Sequence, residues 1–436
     1  MKAAACRIVE KFRLHGYAAF FAGGWVRDYL LDRKPKDIDI ATSAHPDEVV
    51  RLFPKSRPVG AQFGVIQVFL YGRTYEVATF RSDQEYQDGR HPSSVTFSGP
   101  EQDALRRDFT INGLFFDPAN NSIVDYVGGQ RDLEARLIRT IGDPGQRFSE
   151  DKLRMLRAIR FSCTLGFLIV PETWSAIRQL APAILQVSWE RIRDELRGIF
   201  TGPAPGQGLD LLYRSGMLKH ILPEVESLQG VPRRLQSEPD QDLLTHAGHT
   251  LSVLRKPSLV LAFGALLHDV GKPQAIASGN PDMLKRHAEL GEQITEKICR
   301  RLRMSTDETD RIVNLVAMHS LFGKVRQLRD SDFQRLLRRP DIKDHLELHR
   351  ADRVSGRKDL STYKYCIEKL RQFHGQPFPA ALLNGEDLIS MGYSPGPTFK
   401  EILRRIEDMQ LEGTIRSREE AIAHVRKAFP PTPGIN

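Results

Sequence analysis

Cysteine is scarce in this chain of 436 residues. The four cysteines, Cys6, Cys163, Cys299 and Cys366, lie far apart and form no Cys-x-x-Cys pair. That spacing argues against a disulfide scaffold and suits free thiols in a reducing cytoplasm. Long apolar runs are missing as well. None reaches the ~18 residues of a membrane helix, so no membrane span is expected. The first residues hold no apolar segment followed by a small-residue cleavage site, so no secretion signal is expected either. Internal repeats and low-complexity tracts are also lacking. What is present is enough chain for about two to four domains with a substantial core. The net charge of +8 and the pI of about 9.3 fit an anionic partner, and equally fit an ordinary basic protein.

The order of patterns is uneven along the chain. Residues 1–15 carry helical spacing (Ile8, Phe12) and precede an apolar strand, Ala18 to Ala22. A glycine turn and a helix through Val26 to Leu31 follow. Alternation over Gly64–Leu70 and Thr74–Phe80 predicts two strands joined at Tyr71-Gly72-Arg73, and Val95-Thr96-Phe97 reads as a third after the polar loop 81–92. The first part is therefore expected to be α+β with a small mixed sheet. Beyond Gly142-Asp143-Pro144-Gly145 the pattern is helical. Breaks at 201–208, 229–240 and 374–380 divide it. The expected domains are 1–145, 146–207, 208–238, 239–375 and 376–436.

The densest chemistry lies in residues 22–42. Gly23 and Gly24 lack a Cβ, so a phosphate can approach their backbone N–H groups. Arg27 adds a guanidinium suited to phosphate oxygens. Asp37-Ile38-Asp39-Ile40 alternates like a strand, which puts both carboxylates on one face. Such carboxylates repel unless a cation sits between them, and Mg²⁺ takes its oxygens partly from carboxylates and partly from substrate phosphates. Standing alone, the two aspartates would read as a solvated turn. With the glycines and the arginine at this spacing, they read as a metal-dependent nucleotidyl-transfer site.

This string resembles the first motif of the nucleotidyltransferase superfamily, in the form of class II tRNA nucleotidyltransferases (CCA-adding enzymes) and bacterial poly(A) polymerases. The resemblance implies a nucleotidyltransferase head over 1–145, a neck over 146–207 and a helical body over 208–238. It adds Glu76 as a third catalytic carboxylate, against the alternative of a surface strand residue. Arg106-Arg107-Asp108-Phe109-Thr110-Ile111-Asn112-Gly113 resembles the second motif, with Gly113 where alanine is usual. It implies Arg107 on the triphosphate and Asp108 on a ribose hydroxyl. Glu150 to Phe161 resembles the third, read as one helix with Asp151 and Arg154 sharing a face. There a carboxylate accepts from an exocyclic amine while a guanidinium donates to a ring nitrogen, which admits CTP and ATP and excludes GTP and UTP. Arg157, a turn further, is a triphosphate candidate. The loop 81–92 resembles the family's flexible loop at full length, and Trp189–Leu196 a supporting neck motif.

A second constellation lies downstream. His249, His268-Asp269 and Asp352 resemble an HD-type phosphohydrolase site, with His287 and His319 completing a second metal position and Lys272 as a phosphate contact. Imidazoles mixed with carboxylates suit Mn²⁺, Ni²⁺, Fe or Zn²⁺. The resemblance implies an HD domain over 239–375 and a C-terminal helical tail over 376–436 that contacts tRNA. The whole reading is a cytoplasmic enzyme adding CCA to tRNA 3′ ends from CTP and ATP with Mg²⁺. The alternatives are a poly(A) polymerase, a CC-only or A-only enzyme, and a protein that is primarily an HD phosphohydrolase. A Gly-Arg-Arg-Phe-like string is lacking from 59–70, which favours tRNA over poly(A) synthesis. The oligomeric state is left open.

Overall fold

The structure, a computed structural model, describes residues 1–35, 37–60, 64–83, 95–232, 242–373 and 379–430. Most of the expected flexible loop, part of the 59–70 string and most of the breaks at 229–240 and 374–380 lie outside the described residues. The chain forms two compact units, Met1–Gly248 with Lys297–Thr306, and His249–Glu296 with Asp307–Asn436.

The first unit opens with α1 (Lys2–Leu14), whose buried Ala5, Ile8, Val9 and Phe12 recur at helical spacing along one stripe. Its sheet strands are β1 (Ala19–Ala22), β2 (Asp39–Thr42), β3 (Ser56–Gly60), β4 (Val65–Leu70), β5 (Arg73–Thr79), β8 (Leu114–Asp117) and β9 (Ser122–Asp125). They are ordered β3-β4-β5-β2-β1-β8-β9. Every pairing is antiparallel except β2 with β5. The sheet is thus mixed, as expected, but larger than the pattern shows. β8 escapes a reading by alternation because Leu-Phe-Phe-Asp is buried on both faces. Val95–Phe97 is a strand (β7), yet it pairs with β6 (Arg81–Asp83) in a separate ribbon.

Around the sheet lie α2 (Gly24–Leu30), α3 (Pro46–Leu52), α4 (Pro100–Leu105) and α5 (Gly129–Glu134). A short ribbon, β10 (Leu137–Ile138) with β11 (Leu168–Ile169), follows. The neck is α6 (Pro144–Glu150), α7 (Leu153–Leu165), α8 (Pro171–Leu180) and α9 (Trp189–Phe200), continued by α10 (Pro205–Arg214), α11 (Leu218–Ile221) and α12 (Pro223–Glu226). α7 is buried along most of its length, and α9 and α10 pack on it. Gly208 lets α10 approach α9 closely: a Cβ there would stand 2.3 Å from Ile199 Cγ2.

The remaining helices are α13 (Leu243–Ser252), α14 (Leu259–Leu267), α15 (Lys272–Ala277), α16 (Pro281–Lys285), α17 (His287–Arg301), α18 (Thr306–Met318), α19 (Asp330–Leu337), α20 (Ile342–Ser355) and α21 (Ser361–Phe373). The tail supplies α22 (Gly385–Ser390), α23 (Pro397–Leu411) and α24 (Arg418–Ala428). In the second unit α14 is wholly apolar and wholly buried, so it serves as the hub. Leu388, Ile402, Ile406, Ala421 and Val425 give the tail a core of its own.

Candidate active site

The sheet register sets the carboxylates. Asp39 pairs with Ala22 across β2 and β1, and Ile40 pairs with Val77 across β2 and β5. Asp39 therefore lies beside Glu76 at the start of the parallel pair. Ile38 and Ile40 are buried while Asp37, Asp39 and Glu76 are exposed, so the alternation puts all three carboxylates on the open side. The Asp39 pKa is pushed up to about 6, first by desolvation by the surrounding protein and then by the charges of Asp37 and Glu76, with Arg107 pulling the other way. A carboxylate so crowded by like charge stays ionised readily only beside a cation. The all-oxygen donor set fits a hard divalent ion.

Next to it lies a cleft of about 630 Å³, lined by both glycines, Asp37, Asp39, Arg27, the Arg106–Asp108 segment, Asn112, Asp151, Arg154, Arg157, Arg160 and Phe161. Every nucleotide-site residue expected from the sequence thus converges there. Glu76 lines a neighbouring recess of about 230 Å³ that shares Asp39, Arg106 and Arg107.

Individual roles differ from the expectation in four places. The Gly23 N–H donates to Leu114 O at 3.2 Å, so it holds β8 and is not free for a phosphate. The need for glycine there is a φ of +65° and the nearness of Arg107, whose Nη1 would lie 3.1 Å from a Cβ. Gly24 opens α2 and lines the cleft.

Asp108 is 9% exposed and saturated. Arg157 Nε and Nη2 donate to its Oδ2 at 2.9 and 2.7 Å, while Asn112 Nδ2 and the Phe109 N–H donate to Oδ1 at 3.0 and 2.8 Å. Burial alone would raise its pKa; the Arg157 guanidinium and these donors outweigh that and hold it low. A ribose hydroxyl reaches Asp108 only by displacing one of these partners. Arg157 is committed to the same bond, so in this state it is not a free triphosphate ligand.

Asp151 is not on the helix of Arg154. It is extended, with φ −141° and ψ 103°, between α6 and α7. The two side chains do not bond each other. Asp151 accepts from Arg191 Nη2 at 2.8 Å and from the Leu153 N–H at 3.0 Å. Arg154 donates to Glu150 at 2.8 Å, to Arg147 O at 3.1 Å and to Arg106 O at 3.3 Å. Separate anchorage keeps a carboxylate and a guanidinium side by side without mutual neutralisation. Arg27 is likewise held, by Asp28 at 2.9 Å and Asn112 at 2.8 Å.

Sequence reasoning missed Asp103, which binds Arg106 and Arg107, and Glu195, which binds Arg160 at 2.6 Å. The signal for Asp103 was its i,i+3 and i,i+4 spacing to two arginines. Nothing local marks Glu195, because its partner is 35 residues away.

The second unit holds a separate cluster. His268 stands at the end of α14, 3.3 Å from Asp269 and 4.0 Å from Asp352. Asp269, His287 and His319 form a group with metal-ligand spacing. His287 and His319 Nε2 lie 3.8 and 3.7 Å from Asp269 Oδ1, and Lys272 Nζ donates to Oδ2 at 2.7 Å. His268, His287 and His319 each bring Nδ1 to the carbonyl three residues before, at 2.8, 2.8 and 2.6 Å. A carbonyl only accepts, so each Nδ1 carries the hydrogen; in His287 and His319, whose pKa values burial lowers, Nε2 then presents its lone pair, whereas against burial Asp269 and Asp352 raise that of His268. The Nε2 atoms of His287 and His319 are 3.1 Å apart, a distance at which two lone pairs repel unless a cation or shared proton lies against them. Burial and the neighbouring His268 push His319 down to about 4, which keeps it neutral and ligand-ready. His249 does not suit this buried chemistry, because it is exposed on α13. His246, three residues earlier, is fully buried.

Comparison with known proteins agrees with this anatomy. Family models match for a poly A polymerase head domain over 19–139, a probable RNA and SrmB-binding site of polymerase A over 166–229, and an HD domain over 241–357. Over 218 residues the chain is 46% identical to the CCA-adding enzyme of Geobacillus kaustophilus, a match that spans about half of each protein, 50% of this chain and 54% of that relative. Over 420 residues it is 42% identical to the CCA-adding enzyme of Levilactobacillus brevis, covering 95% of both chains. The crystal structure of the Bacillus stearothermophilus CCA-adding enzyme in complex with CTP superposes with a TM-score of 0.73 at 28% identity, covering 98% of each chain. The head chemistry of this group implies a divalent metal, and the carboxylates of β2 and β5 fit one. With 42% identity along nearly its whole length, the chain belongs to the family of CCA-adding enzymes.

Proposed function

We propose that this protein adds C, C and A to tRNA 3′ ends from CTP and ATP, one cleft selecting both nucleotides. The observation that carries this is the convergence of Asp37, Asp39, the glycine turn, the arginines and the Asp151–Arg154 couple on one cleft, with Glu76 in the adjoining recess. Mg²⁺ held by Asp37 and Asp39, with Glu76 beside them, would activate the terminal hydroxyl and neutralise the leaving pyrophosphate. Arg107, Arg27 and the Gly24 N–H bind the triphosphate. Asp108 and Arg157 act as a locked pair that fixes the cleft wall. Asp151 accepts from the amine of cytosine or adenine while Arg154 donates to the ring nitrogen. Guanine and uracil present the opposite polarity and leave both groups facing like against like.

The expected domains are 1–145 for the head, 146–207 for the neck, 208–238 for the body, 239–375 for the HD domain and 376–436 for a tRNA-contacting tail. The HD cluster of His268, Asp269, His287, His319 and Asp352 binds a transition metal such as Mn²⁺, Ni²⁺, Fe or Zn²⁺ and gives a second activity on phosphate esters. Four free cysteines, three of them buried, fit the reducing cytoplasm.

The test is incubation of tRNA lacking CCA with Mg²⁺ and labelled CTP, comparing the wild type with Asp37→Ala/Asp39→Ala. Incorporation lost in the variant supports the reading. Equal incorporation by both proteins would refute the site.

A further inference from the structure

We infer that Asp103 is a positioning residue for nucleotide transfer: its buried carboxylate sets the guanidinium groups of both Arg106 and Arg107 against the cleft. The inference rests on the transferase reading above and adds a residue that touches no nucleotide. Asp103 lies on α4, outside the cleft lining, and its side chain is 1% exposed. Oδ1 accepts from Arg106 Nε and Nη2 at 2.9 and 2.6 Å, and from the Arg81 N–H at 3.4 Å. Oδ2 accepts from Arg107 Nε and Nη2 at 3.2 and 2.9 Å.

One buried charge thus organises two consecutive arginines that line both the nucleotide cleft and the recess beside Glu76. Arg107 is held on further sides, donating to Asn112 O at 3.3 Å and lying over the Phe115 ring at 4.9 Å. Three of the five guanidinium N–H groups are used in this way, so two stay available for an anion. The arrangement also leaves a net charge of about +1 over the three side chains, which attracts a polyphosphate without trapping it. Burial works against the Asp103 charge, but Arg107 and Arg106 more than compensate and keep the carboxyl ionised. Removing that charge frees two like-charged guanidinium groups to part and swing, and misplacement of a triphosphate ligand by ~1 Å costs on the order of 10²-fold in rate.

The test measures CTP affinity by calorimetry, and KM for CTP, ATP and tRNA, on wild type, Asp103→Asn and Asp103→Glu. Asp103→Asn is expected to weaken CTP binding by about tenfold or more and to raise KM for CTP and ATP together, with KM for tRNA unchanged. Asp103→Glu keeps the charge with shifted geometry and falls between. Should Asp103→Asn not fold, the Asp103→Glu values decide. A raised nucleotide KM with normal tRNA KM supports the inference. A variant with wild-type CTP affinity, or a loss falling equally on tRNA, overturns it. A wild type that binds CTP but never extends tRNA would instead defeat the transferase reading.

Discussion

Asp39 concentrates the chemistry of the head in one titration. Its pKa of about 6 lies above the ordinary carboxylate value, so the folded protein holds a proton there that the unfolded chain has already released. The folded state binds more protons between roughly pH 4 and pH 6, and stability falls as pH rises through that window. Asp39→Asn should therefore raise the metal-free Tm at pH 8 while abolishing transfer, as calorimetry and a transfer assay would show. In the wild type, kcat/KM for CTP should drop as pH falls through about 6 at subsaturating metal, because protonated Asp39 no longer attracts the ion. A profile flat from pH 5 to 8 would contradict this. The identity of these residues was legible because Gly-Gly, Arg and Asp-x-Asp fall within one short local string. Their bonding was not. Asp108 is saturated by Arg157, 49 residues away, and spacing carries no record of such a partner. Among the histidines, His249 followed from the resemblance alone, and the structure shows it exposed while His246 is buried.

At the scale of elements, α7 and α9 anchor the two groups to which base selection is proposed. α7 carries Arg154 on a helix packed into the core, while α9 reaches across to hold the extended Asp151 through Arg191 at 2.8 Å. Arg191→Ala should leave folding intact and loosen Asp151. The expected result is roughly tenfold lower kcat/KM for CTP together with increased misincorporation of UTP or GTP, read by product sequencing. Unchanged selectivity would mean that Asp151 is oriented by the Leu153 N–H alone. The helical part was legible in outline from its punctuation, Gly-Asp-Pro-Gly above all. One misreading was instructive: Glu150 to Phe161 has helical periodicity throughout, yet Asp151 breaks it by binding Arg191 and capping Leu153. A short polar residue that competes for backbone N–H groups ends helices in this way. In the sheet, β3, β8 and β9 stayed hidden because strands without alternation leave no periodic trace.

For the whole molecule, the proposed nucleotide transfer and the proposed phosphate-ester hydrolysis should be separable by variant. Asp269 links His268, His287, His319 and Lys272 in the second unit, and takes no part in the cleft of the first. Asp269→Ala should release transition metal, measured by elemental analysis, and abolish hydrolysis of a simple phosphomonoester while nucleotide addition to tRNA proceeds at the wild-type rate. Loss of both activities would contradict that independence. The central claim is that one cleft writes a fixed, short sequence. Its most direct test gives the protein all four nucleoside triphosphates, Mg²⁺ and tRNA transcripts ending before CCA, after C and after CC, and sequences the products over time. The account predicts that every transcript is completed to CCA and then left alone. A growing A tract, a stop at CC, or incorporation of G or U would contradict it.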